Sequence, residues 1–387
     1  MNISSSVAPT LTMDGLVLET PLLLLDEQRM EANVARMKRQ IERLGVSFRP
    51  HVKTNKCIEV SRLLMASDDG PITVSTLKEA EYFASKGVRD ILYAVCIAPN
   101  KFEHALRLVR QGVRLKLILD SVEAATLLVE FARAQSVVFD VLIEIDADDH
   151  RSGLKPGAGE VIAVADLLRD GGLSVAGVMT HAGSSYECDS DAALRLMAEQ
   201  ERLAVVNAAT RLRESGHPCP VVSVGSTPTA LFAEHLDGVT EVRAGVFVFF
   251  DLVMAGIGVC KVDDIAVSVL GTVIGHQPEK NWTLIDAGWM AMSRDRGTSR
   301  QRVDQGYGLV CDMQGRPIED LVLIGANQEH GIVASRSGAH PSSYLPVGTQ
   351  VRVLPNHACA TAAQFPCYHV LAPDQVVRET WNRFSGW

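Results

Sequence analysis

The chain has 387 residues, 47% of them hydrophobic and 21% charged, with a net charge of -9. That length suits two domains with sizeable cores, and the acidic balance, without any Lys/Arg block, excludes a nucleic-acid groove and a basic membrane-binding face. No apolar run reaches the roughly 18 residues of a membrane span.

The start, MNISSSVAPTLTMDG, lacks the basic-then-apolar plan of a secretory leader. The eight cysteines show no paired spacing, so they read as reduced thiols of a cytoplasmic protein. The segment LETPLLLLD (18–26) precedes a long helix over 26–44 and is assigned to a second domain or its seam. An alternation of strands and helices follows. Strands are predicted at VSFRPHV (46–52), ITVS (72–75), DILYAV (90–95), RLKLILD (114–120), FDVLIEI (139–145), LSVAGVM (173–179), PVVSV (220–224) and TEVRAGV (240–246). KCIEVSRLLMA (56–66) and LKEAEYFASKG (77–87) have helical periodicity. The strands are mostly continuous apolar runs, as when both faces are buried. Repeated strand–helix units imply a parallel sheet, and eight of them predict a closed (β/α)8 TIM-type barrel over 27–255. A doubly wound open sheet is the alternative, without a GxGxxG to support it. From 256 to 387 the texture is β-rich, predicting a β-sheet domain joined by residues 1–26.

A barrel carries its chemistry at the C-terminal ends of its strands. Lys53 lies at the end of the first, with His51 two residues before it. Arg151 follows the fifth strand, His181 and Tyr186 the sixth, and GSTPT (225–229) the seventh, while Gly245 closes the eighth. A lysine at a buried strand end can form a Schiff base, with desolvation lowering its pKa. The small and hydroxyl residues of 225–229 with Gly245 offer donors to a phosphate, and an imidazole can stack on an aromatic ring. Together these spell pyridoxal phosphate (PLP). Singly, each has a plainer reading: a surface lysine, a core histidine, a loop, a solvated arginine. Lys56 is a rival for the Schiff base, placed inside the helix start.

RPHVKTNK resembles the PLP-lysine motif of alanine-racemase-like (fold-type III) enzymes, in the branch holding D-threonine aldolase and eukaryotic-type D-serine dehydratase. VSTLKEAE, HRSG, THAGSSYE, VSVGSTPTA, EVRAGVFVFFD, DAGWMAMSRDRGT, GANQEHGI and LPNHACAT extend that resemblance over nearly the whole chain. It implies that Lys53 holds PLP and that Arg151 faces the pyridine nitrogen. His181 and Tyr186 would line the ring, while Ser226, Thr227, Gly245 and Val246 would bind the phosphate. His357 and Cys359 would bind a divalent metal, zinc in the dehydratases. It also implies a homodimer. Phe247 departs from relatives that often carry Tyr there, and the second tyrosine base of racemases has no counterpart here.

The run VRVLP before LPNHACAT alternates like a strand, so His357 and Cys359, at i and i+2, would converge on one point. Imidazole with thiolate favours zinc over magnesium or manganese, although other divalent ions remain possible. The plainer reading is a packed strand with an inert thiol. A Lewis acid with open positions suits expulsion of a β-hydroxyl. The expected activity is therefore dehydration of a D-3-hydroxy amino acid, foremost threo-3-hydroxyaspartate to oxaloacetate and ammonia. Retro-aldol cleavage to glycine and an aldehyde, or D-serine dehydration, are the alternatives. A non-catalytic PLP carrier is disfavoured by the additional β domain. Arg294 and Arg296 are candidates for a second substrate carboxylate, a structural ion pair being the other reading. Glu329 and His330 are placed near the metal or a subunit seam.

Overall fold

A computed structural model of the chain describes residues 11–13, 16–339, 341–343 and 345–387. Its described residues divide into two compact units: those up to 34 with those of 248–383, and those of 35–247 with 384–387.

The described chain opens with a two-residue ribbon, β1 (Thr12–Met13) and β2 (Leu16–Val17), followed by β3 (Leu22–Asp26) and α1 (Glu27–Leu44). Strands and helices then alternate: β4 (Ser47–Phe48), α2 (Ile58–Leu64), β5 (Ile72–Val74), α3 (Leu77–Ser85), β6 (Asp90–Cys96), α4 (Phe102–Arg110), β7 (Arg114–Leu119), α5 (Val122–Gln135), β8 (Asp140–Ile145), α6 (Glu160–Asp170), β9 (Ser174–Thr180), α7 (Asp191–Glu214), β10 (Val221–Val224), α8 (Thr227–Phe232) and β11 (Glu241–Val242). Each of the eight predicted barrel strands is present. The helices start where the sequence offers caps: the hydroxyls of Thr76, Ser121, Ser190 and Ser226 accept the first free N–H groups of α3, α5, α7 and α8.

The eight strands form one sheet in the order β4-β11-β10-β9-β8-β7-β6-β5, every pairing parallel. Its two edges meet through a parallel bridge between His51 and Thr73, where Val52 N–H donates to Thr73 C=O at 2.9 Å and Thr73 N–H to Pro50 C=O at 2.8 Å. The sheet thus curls into an alanine-racemase-like (β/α)8 barrel. Inside it, Leu92, Ile118, Leu142, Ala176 and Met179 pack together. Beside them runs a buried polar ladder. Arg49 bonds Glu241 at 2.8 Å and Asp90 at 2.7 Å; Ser223 donates to Glu241 at 2.8 Å and Arg243 donates to Ser223 at 2.5 Å. Burial of so many charges is tolerable only because each is paired.

The other unit takes the remaining strands: β12 (Val267–Gln277), β13 (Trp282–Ile285), β14 (Gly308–Cys311), β15 (Pro317–Ala326), β16 (Gly331–Ser335), β17 (Gln350–Pro355), β18 (Cys367–Leu371) and β19 (Val377–Asn382), with short helices α9 (Leu252–Gly256), α10 (Trp289–Met292) and α11 (Ala358–Ala362). The sheet order is β13-β16-β15-β14-β17-β12-β3-β18-β19, with β13 also pairing β12. β3 lies inside this sheet, antiparallel to β12 and parallel to β18. Its five residues are buried, and Leu22 and Leu24 join Leu270, Met313, Leu371 and Val377 in the core. Among the described residues no helix is long and apolar enough to cross a membrane.

Candidate active site

The barrel gathers one group of predicted residues at the C-terminal ends of its strands. Lys53 sits on the turn between β4 and α2 and is exposed. This corrects the expectation of a desolvated lysine: the strand stops short of it, and the turn lifts its side chain out of the wall. Its amine has no ion-pair or hydrogen-bond partner among the described residues. Lys56 is different. It takes a left-handed backbone (φ +46) just before α2, not inside it, and its ammonium lies 3.1 Å from the fully buried Glu79 carboxylate. That pairing makes Lys56 structural and leaves Lys53 as the free amine.

His181 follows β9. Its Nδ1 lies 2.6 Å from the Gly225 carbonyl, so Nδ1 carries the proton and Nε2 is left as an acceptor. Burial, then the charges of Lys53, Arg151 and Arg243, hold this imidazole down at about 3, against the pull of the Gly225 hydrogen bond. Burial and the Lys53 and Arg243 charges likewise keep His51 well below its usual range. Both rings are neutral near pH 7, within reach of three cations. The Tyr186 ring lies 6.2 Å from that of His181, tilted by 48°.

Ser226 caps α8, and its hydroxyl lies 3.0 Å from that of Ser185 and 2.9 Å from that of Thr229. The Thr227 hydroxyl accepts from Phe247 N–H at 3.2 Å. Among the described residues, the backbone N–H groups of Ser226, Thr227, Gly245 and Val246 donate to no protein acceptor. Four unfilled donors beside three cations suit a phosphate. Gly245 is required there, since a Cβ would lie 2.7 Å from the His51 carbonyl oxygen. Phe247 is buried edge-on against Phe48, ring centroids 5.7 Å apart.

Arg151 is exposed, and its guanidinium lies 3.5 Å from Glu144. Around Glu144 is a cluster that the sequence reading missed: one donor atom from each of Cys96, Asp120 and Glu144 lies within 4.8 Å of the others, close enough to hold a metal ion. Burial, then Glu144 and Asp120, push the Cys96 thiol far up, so it stays protonated and donates to Glu144 at 3.1 Å. Ser152 also donates to Glu144, at 3.1 Å, and Gly153 N–H to Asp120, at 3.0 Å. These contacts anchor the loop that carries Arg151.

The second predicted pair lies in the β domain. β17 ends at Pro355, His357 occupies the position before the first residue of α11, and Cys359 is already helical. The strand expected to carry both is therefore absent at that point: the small residues after Asn356 wind into a helical turn. The two side chains nevertheless meet. Burial opposes charge on His357, but the Cys359 sulfur, the Asp295 carboxylate and Asp251 override it and draw the imidazole up to about 11. His357 Nδ1 lies 2.7 Å from Asp295 Oδ2, and that hydrogen bond holds the Asp295 carboxyl below its usual range. With Nδ1 committed to Asp295, Nε2 is the nitrogen left for a ligand. Asp251, buried, accepts Met254 N–H at 2.9 Å and Ala358 N–H at 3.0 Å. An imidazole and a sulfur ringed by two carboxylates fit a divalent cation. Asp251 and Asp295 were not singled out from sequence, although FFDLVM, an acid before an apolar run, is a cap signal for the first.

Residues 25–253 match the model of the alanine racemase N-terminal domain, and residues 266–371 that of a putative serine dehydratase domain. The chain belongs to the alanine-racemase-like enzymes. It is 57% identical to the D-threo-3-hydroxyaspartate dehydratase of Delftia sp. (strain HT23), over 96% of this chain and 99% of that one. The solved structure of that dehydratase superposes with a TM-score of 0.93 at 56% identity, covering 96% of this chain and 98% of that chain, and a mutant of it was solved in a metal-free form. The D-serine dehydratase of Dictyostelium discoideum is 32% identical over 96% of this chain and 98% of its own. The D-threonine aldolase of an Arthrobacter species is 28% identical over 94% and 92%.

This alanine-racemase-like family implies PLP, and the exposed amine, neutral imidazole and unfilled N–H groups fit that cofactor. The remaining predicted residues scatter. Arg296 pairs with Asp304 at 2.8 Å and lies over the Tyr307 ring, a structural ion pair. Arg294 is exposed and lies 4.4 Å over the Trp289 ring, without a carboxylate partner among the described residues. Glu329 and His330 are exposed in the turn between β15 and β16.

Proposed function

We propose that the chain is a PLP- and metal-dependent lyase that dehydrates D-3-hydroxy amino acids, with D-threo-3-hydroxyaspartate as its substrate and oxaloacetate and ammonia as products. The observation that carries the cofactor assignment is the free Lys53 amine beside a neutral His181 and four unfilled N–H donors. Identity of 57% over 96% of the chain supports the substrate.

PLP, when bound, supplies an electron sink for the Cα–H bond. Lys53 holds the cofactor and serves as the base at Cα. Arg151 would be the cation that faces the ring nitrogen. His181 and Tyr186 flank the ring, and the N–H groups of Ser226, Thr227, Gly245 and Val246 take the phosphate. His357 and Cys359 hold a divalent metal, zinc on ligand softness, and Asp295 fixes the His357 tautomer. That ion supplies the Lewis acid that makes a β-hydroxyl able to leave. Arg294, with no carboxylate of its own, is the candidate for the second substrate carboxylate. Glu329 and His330 keep only a peripheral place. The family reading also carries a homodimer and a cytoplasmic location.

The test is product analysis of the purified enzyme on D-threonine, D-serine and both D-3-hydroxyaspartate isomers. Ammonia with oxaloacetate from the threo isomer is expected; glycine would identify an aldolase. Lys53→Ala should lose the visible absorbance of lysine-bound PLP, and an unchanged spectrum refutes the assignment. Chelation should stop turnover while PLP stays bound.

A further inference from the structure

We infer that Glu201 is a positioning residue that locks together the loops after β9 and β10, and with them the groups that hold the ring and phosphate of PLP. The inference rests on the PLP reading above.

α7 turns an apolar stripe to the barrel: Leu194, Ala198, Ala204, Val205 and Ala208 are buried on it. Glu201 falls on the same stripe and is 1% exposed. A carboxylate placed there is costly unless its oxygens are bonded. They are, and by backbone from two different loops. Glu201 Oε1 accepts Ala182 N–H at 3.0 Å and Gly225 N–H at 3.1 Å. The Thr229 hydroxyl also bonds the carboxylate, and Arg243 faces it with opposite charge.

Those donors adjoin the site. Ala182 directly follows His181, and Gly225 directly precedes Ser226. The Gly225 peptide is held from both ends: its N–H by Glu201, and its carbonyl by His181 Nδ1 at 2.6 Å. Such a chain of hydrogen bonds polarises along its length. The Gly225 backbone also packs directly on that of Arg243, since a Cβ at Gly225 would lie 1.9 Å from the Arg243 carbonyl oxygen. Glu201 therefore sets the His181 ring and the Ser226 and Thr227 N–H groups in one frame, without itself touching the cofactor.

The test compares wild type, Glu201→Gln and Glu201→Leu, stripped of PLP and titrated with it, reading the absorbance of the lysine-bound form beside thermal stability. Gln retains an oxygen acceptor and should retain wild-type PLP affinity. Leu fills the space without an acceptor and should weaken PLP binding roughly 10- to 100-fold, by analogy with the loss of a residue that orients a metal ligand. If the Leu variant does not fold, Glu201→Asp, which withdraws the oxygens by one methylene, must show a loss in the same direction. A Leu or Asp variant that melts earlier yet binds PLP like wild type overturns the inference, since that is the mark of a merely structural carboxylate. Wild type that takes up no PLP would overturn the cofactor reading and this inference with it, a failure distinguished by occurring before any substitution.

Discussion

His181 shows how one side chain ties stability to pH. Burial and the Lys53 charge hold its folded-state pKa at about 3, whereas an unfolded histidine titrates near 6.5. Below pH 6.5 the unfolded chain takes up a proton that the folded chain refuses. Stability is therefore fully present above about 6.5 and declines as the pH falls toward 3. His51 is depressed in the same direction. Urea unfolding of the PLP-free protein should show this acid slope. His181→Asn retains a donor for Gly225 and should flatten the slope by up to about 1.4 kcal/mol per pH unit; an unaltered slope would exclude His181 as its source. The residue scale is also where sequence was least sufficient. Lys53 was legible as the candidate amine at the end of the first strand, but not its exposure, because where a strand gives way to a turn is set by barrel closure. Glu201 left a usable signal: a carboxylate on an otherwise apolar helix stripe. Asp295 left none, since its partner His357 lies 62 positions away.

At the scale of elements, the eight barrel strands were legible because each is a short apolar run bounded by turn residues, and a fully buried strand needs that composition. The site at His357 misled for the opposite reason. VRVLP alternates like a strand, but β17 ends at Pro355, and five small residues after His357 wind into α11. What seats that turn is remote in sequence: Asp251 caps α9 and also accepts the first N–H of α11. Asp251→Ala should lose both bonds, lowering stability by about 1–3 kcal/mol, and should reduce metal content through the displaced His357 and Cys359. Elemental analysis of the purified variant checks this; a full complement of metal would show that α11 holds its place unaided.

The whole molecule has a discontinuous build: the β unit takes described residues up to Val34 together with 248–383, and the barrel unit takes 35–247 with the last four residues, 384–387. From sequence, LETPLLLLD, standing before the first long helix, is assigned to a second domain or its seam. Leu23, Leu24 and Leu25 are fully buried in β3. Leu24→Ala should therefore cost about 2–5 kcal/mol in unfolding free energy, whereas Leu16→Ala, at a position 75% exposed, should change it by no more than about 0.5 kcal/mol. Equal effects would show that β3 does not carry the sheet. The position of β3 between β12 and β18 also sets a timetable during synthesis. β12 begins about 240 residues after β3 ends, a delay of roughly 10–50 s at ribosomal speeds of about 5–20 residues per second. Through that interval an apolar strand has emerged without its neighbours, while the barrel segments emerge behind it. The apolar β3 segment is thus most exposed to aggregation until its two neighbours, β12 and β18, have been made.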